Sequence, residues 1–105
     1  SFTAVYEGRD YTEEDLLRAV ENFLKSEEAR LSPDAETLVK EKAKVLLAEK
    51  KGFYKNSIVS FAARALDIAD KGGFLGIGSG KCDKNGILIV DVKHFRKAEK
   101  NDLDR

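Results

Sequence analysis

The sequence predicts an α+β fold: a short N-terminal strand, a three-helix unit and a C-terminal β-hairpin, forming a small antiparallel sheet packed on helices. Three observations carry this. Apolar residues recur at helical spacing through two capped segments in the first half of the chain. A third segment is apolar around most of its circumference. A β-branched run, "GILIVDVKHF", then opens on Asn85-Gly86, a strong hairpin signal.

Phe2 to Tyr6 is short and β-prone, and Gly8 closes it, which predicts the first strand. The first helix is expected over residues 13–30. Thr12 caps it, and Glu13, Glu14 and Asp15 suit the positive end of the helix dipole. Leu16, Leu17, Val20, Phe23, Leu24 and Leu31 make its apolar stripe. Ser32 and Pro33 open the second helix, and Gly52 is the natural left-handed residue after it. Phe53 is placed to fold back on Leu47 or Ala48. The third helix is expected to start at Asn56 or Ser57 and to stop at "DKGGF", where Gly72 or Gly73 turns left-handed and Phe74 locks the end. The segments "AEKKGFY" and "ADKGGFL" echo each other, as two helix ends with one capping need would.

Residues 75–82 are then the partner strand of 86–95. The preferred register pairs Asp83 with Ile87 through a type I turn, with Gly86 as the bulge. That register puts Gly76, Gly78, Gly80 and Cys82 on one face with Leu88, Val90, Val92 and His94. Three glycines on one face imply close approach by another element, and the alanine-rich third helix is the expected neighbour. The tail 96–105 is polar, a short helix or a frayed end.

The 105 residues fit one domain. With 42% hydrophobic and 36% charged residues, the chain reads as globular rather than disordered. Nineteen basic and nineteen acidic residues cancel, which argues against nucleic-acid binding by bulk charge and leaves a local basic patch open. One cysteine forms no intrachain disulfide, and one cysteine with one histidine builds no ordinary zinc site. No apolar run has membrane-spanning length, and the first residues lack a signal pattern, so the expected compartment is the cytoplasm.

Six of the eight glycines fall in "DKGGFLGIGSGKCDKNG", which imitates several ligand loops. As a P-loop it fails, because Leu75 stands where the first glycine belongs and Cys82 where the hydroxyl belongs. As a calcium loop it fails, because Lys81 takes the place of the first carboxylate and Val92 that of the last. As a dinucleotide fingerprint it fails at Lys81. Cys82 and His94 lie about 20 Å apart along a straight hairpin at about 3.3 Å per residue, so they form no nucleophile pair, and Cys82 reads as a small core residue. Asp67 and Asp70 are the one carboxylate pair out of keeping with its helix position, and pairing with Arg64 and Lys71 or with solvent accounts for them.

No catalytic residue, cofactor site or metal site is therefore expected. The sequence reads as a small non-catalytic protein-interaction or regulatory domain with a protein partner, a homodimer through the hairpin being one form. Ile77, Lys81, Ile87 and Ile89 are the candidate contacts, because isoleucines on an exposed hairpin face invite a covering chain. The alternative is a winged-helix-like nucleic-acid-binding domain. Its contacts would be Lys50, Lys51, Phe53, Tyr54, Lys55 and Arg64, with Lys81 and Lys84 on the wing. A small enzyme using carboxylates is the lesser alternative.

Overall fold

The computed structural model describes residues 11–50, 52–74 and 80–103. The expected strand at 2–6 and most of the glycine-alternating segment, 75–79, lie outside the described residues.

Helix α1 runs Glu13–Ser26. Thr12 Oγ1 accepts the Asp15 amide at 3.1 Å, and Asp15 Oδ2 accepts the Thr12 amide at 3.0 Å, a complete capping box. Leu16, Leu17, Val20 and Leu24 are buried, as the stripe requires. The helix stops short of the expected residue 30. Glu28 turns left-handed at φ 57°, and Ala29–Leu31 form strand β1. Leu31 fits helical spacing after Leu24, so the sequence assigns it to the helix stripe. In the fold, Ala29 and Leu31 are buried and Arg30 is exposed, the period-2 pattern of a strand.

Ser32 caps helix α2, Pro33–Glu49, through Oγ, which accepts the Ala35 amide at 3.1 Å. Lys50, not Gly52, is its left-handed cap. Gly52 is also left-handed, and Phe53 is 59% exposed, more open than a folded-back lock would be. Helix α3 spans Tyr54–Phe74, beginning before the expected caps and continuing through Gly72 and Gly73. The described part of "AEKKGFY" therefore crosses a helix end and a turn, whereas residues 69–74 of "ADKGGFL" are all helical. Helix α3 packs on α1, α2, the strand Leu88–Val90 and the helix Val92–Leu103, as its wide apolar face predicts.

Strand β2, Lys81–Cys82, pairs antiparallel with β3, Leu88–Val90, in the predicted register, Cys82 opposite Leu88. The Asp83 amide donates to the Ile87 carbonyl at 2.9 Å and the Gly86 amide to the Asp83 carbonyl at 3.0 Å, with Gly86 at φ 79°. These bonds make the turn the sequence predicts. The sheet itself differs from expectation. It is three-stranded and mixed, in the order β1-β3-β2, because β1 joins β3 in parallel. The expected strand over 86–95 ends at Val90, where Asp91 starts helix α4, Val92–Leu103.

Two strand-to-helix passages therefore lie side by side. Each strand passes into its helix through one capping residue, Ser32 or Asp91. Helix α1 packs on β1 and α3 on β3. Phe61 of α3 meets Phe95 of α4 edge to face, with centroids 5.1 Å apart.

Candidate functional site

Parallel pairing brings the starts of α2 and α4 together. Ser32 Oγ donates to Asp91 Oδ1 at 2.7 Å, and the Ser32 amide donates to the Val90 carbonyl at 3.0 Å. Asp91 Oδ1 also accepts the Val92 amide at 2.8 Å. The Ser32 hydroxyl and that amide hold the Asp91 carboxyl below the usual carboxylate range. The Asp91 amide in turn donates to His94 Nδ1 at 2.9 Å. Serine, aspartate and histidine thus meet, but not in a nucleophilic relay: the hydroxyl faces the carboxylate, and the imidazole nitrogen faces a backbone amide. The cluster locks two helix starts to each other.

From this corner α2 and α4 enclose an open groove of about 690 Å³. Leu38, Val45 and Val92 supply its apolar lining, and Val45 is 52% exposed. Lys42 of α2 reaches Glu99 of α4 at 3.6 Å, and its ammonium lies 5.2 Å from the centre of the Phe61 ring. Asp34 and Glu41 line α2's side and Arg96 lines α4's, so both charge signs border the apolar strip.

The residues singled out from the sequence fall in three places. Ile87 and Ile89 are half-buried on the hairpin, Lys81 is exposed on β2, and Ile77 lies outside the described residues. Ile87 borders a smaller cleft of about 350 Å³ together with Glu21, Lys25 and Glu28. Lys50, Phe53, Tyr54 and Lys55 gather at the α2–α3 turn, while Lys51 lies outside the described residues. Lys84 is exposed on the hairpin turn, whereas Arg64 is half-buried, with its guanidinium 5.8 Å from the Phe61 ring centre.

The calcium-loop imitation resolves into turn chemistry at Asp83–Gly86, while residues 75–79 of the phosphate-loop imitation lie outside the described residues. Asp83 Oδ1 accepts the Asn85 and Ile87 amides at 2.8 and 3.1 Å, and Oδ2 accepts Arg30 Nε at 3.0 Å. The Ile87 amide first and the Arg30 guanidinium second hold this carboxyl below its ordinary range. Cys82 is exposed on β2 rather than in the core, and His94 is 1% exposed, buried at the start of a helix rather than near the end of a strand. Among the described residues no three of His, Cys, Asp and Glu are grouped to hold a metal ion, and no helix is long and apolar enough to cross a membrane.

Sequence reasoning missed the α2–α4 groove and the Asp91–His94 corner. The signal for the corner was present: an aspartate after a β-branched run, with an acceptor side chain three residues on. No family model, curated protein or solved structure matches the chain.

Proposed function

We propose that this chain is a non-catalytic protein-interaction domain whose partner lies along the α2–α4 groove. The observation that supports this reading is the apolar strip along an open groove, half-buried at Leu38 and Val92 and 52% exposed at Val45, bordered by charges of both signs. A partner helix with apolar anchors about one turn apart suits such a groove. The half-buried Ile87 and Ile89 leave the hairpin less apolar surface than the sequence reading assumed. A photo-crosslinking residue at Val45, with Ser60 as the exposed control, tests the proposal. A discrete adduct is expected at position 45 alone. Excess wild-type chain should suppress it and excess Val45→Glu chain should not. Equal labelling at both positions would end this reading, and an adduct of twice the chain mass would make the partner a second copy.

A second reading rests on the α2–α3 turn. Phe53 stands 59% exposed between the exposed Lys50 and Lys55, an arrangement that suits base stacking beside phosphate contacts. The order helix, strand, helix, helix, hairpin also favours a winged-helix-like binder, although β1 runs parallel to β3 where that reading expects an antiparallel sheet. Titration with single- and double-stranded DNA at low salt decides it. Binding that weakens with salt, and weakens further in Lys50→Ala/Lys55→Ala, supports it, and no binding at low salt removes it.

A further inference from the structure

We propose that the β3–α4 corner is an acid-sensitive latch: protonation of His94 removes the hydrogen bond that closes the first turn of α4, and the corner loosens toward acid.

The argument starts from the direction of one bond. A backbone amide only donates, so His94 Nδ1, 2.9 Å from the Asp91 nitrogen, accepts and must carry a lone pair. An imidazolium donates from both nitrogens, so the protonated ring sets donor against donor. In a capping box the third helical residue is a glutamate or glutamine reaching back to the cap's amide. Here Asp91 is the cap, since its carbonyl accepts the His94 and Phe95 amides at 3.0 and 3.4 Å, and His94 takes the glutamate's role. A glutamine there would hold the same bond at any pH. Histidine makes it conditional.

Burial makes the loss consequential, because a ring at 1% exposure has little water to take the charge or the place of the partly buried bond it gives up. Asp91 lies in contact with the ring and Lys93 beside it on the helix. On α2, Lys42 is engaged with Glu99 of α4. On α3, Arg64 stacks over Phe61. The Asp91 carboxylate opposes the latch by attracting the imidazolium, but that same carboxylate is already engaged by Ser32 and the Val92 amide. His94 is the only histidine of the chain, so an imidazole titration has one source.

Urea unfolding at about pH 7.5, 6.5 and 5.5 brackets the ordinary imidazole range. The comparison is wild type against His94→Gln, which retains an acceptor and does not titrate. The wild-type folding constant should fall by up to about tenfold per pH unit below about 6.5, while His94→Gln stays flat. A wild-type constant that is level or rises toward acid, or the same fall in both proteins, overturns the proposal. Hydrogen exchange on the wild type gives an independent reading should the variant not fold. The Asp91 amide should lose protection toward pH 5.5 relative to amides later in α4, and retained protection overturns the latch.

Discussion

Phe53 precedes α3 with φ at 55°, a conformation that glycine, asparagine and aspartate tolerate and phenylalanine does not favour. Its carbonyl accepts the Ser57 amide at 3.0 Å, so it occupies the capping position without a side chain able to cap. Phe53→Asn should stabilise the fold by about 1 kcal/mol, raising Tm by about 4–8 °C for a domain of this size. Thermal melts followed by circular dichroism check this. A lower Tm would mean that the ring's contacts outweigh the backbone strain. Gly80 is the converse case. A Cβ there would collide with the carbonyl oxygen of Ala69 and press on Leu88 Cδ1 at 3.2 Å. The close approach of the alanine-rich helix, inferred from glycine alternation, is therefore real at Gly80. Gly76 and Gly78 lie outside the described residues. Backbone cannot yield as a side-chain tip can, so Gly80→Ala should destabilise by about 1–3 kcal/mol, read as a lower urea midpoint with unchanged slope.

At the scale of elements, the capped starts of α1 and α2 and the Asp83–Gly86 turn were legible because their signals lie within four residues. Strand β1 and helix α4 were not. Leu31 satisfies both a helical stripe and a three-residue strand, and the choice depends on β3, far along the chain. Val90, Val92 and His94 alternate like a strand, yet Asp91 ends it. Once its carboxylate is held by Ser32, its carbonyl starts a helix. The Asp91 and Asp83 carboxyls are both lowered by their hydrogen bonds. A carboxyl lowered in the folded state adds stability that is complete above the ordinary unfolded value, about 3.9. That contribution is lost as the pH falls through the lowered folded value. Stability should therefore decline below about pH 4, a window separate from the histidine's. Asp91→Asn keeps an oxygen acceptor and loses the charge, so its acid decline should be shallower than that of wild type. Equal declines in urea titrations from about pH 5 to 2.5 would place the acid sensitivity elsewhere.

At the scale of the whole molecule, one core joins every helix to the sheet. Leu16, Val20 and Leu24 of α1, Val39 of α2, Ile58 of α3, Val90 of β3 and Phe95 of α4 have no exposed surface. Ala62, Ala65 and Ala69 are equally buried and let α3 lie close to its neighbours. Among the described residues Phe95 is the largest fully buried side chain, and it meets Phe61 edge to face. Phe95→Ala should destabilise by about 3–5 kcal/mol, a large share of the roughly 5–15 kcal/mol that holds a domain folded. A cooperative melt shifted strongly downward, or an absent one, is expected. A shift of only a few degrees would mean that the core closes over the gap.

The amino-acid sequence by itself determined the α+β class, the three long helices, the hairpin register and the absence of the familiar phosphate and calcium loop patterns. Each of these follows from residue types at short spacing, where capping, turn geometry and apolar periodicity act. Only the tertiary structure decided that Ala29–Leu31 is a strand, that Asp91 converts a β run into a helix, and that α2 and α4 leave a groove between them. Those outcomes depend on hydrogen bonds such as Ser32 to Asp91, whose partners stand 59 positions apart. No local pattern records a partner at that distance. It is chosen by the packing that buries the rest of the core.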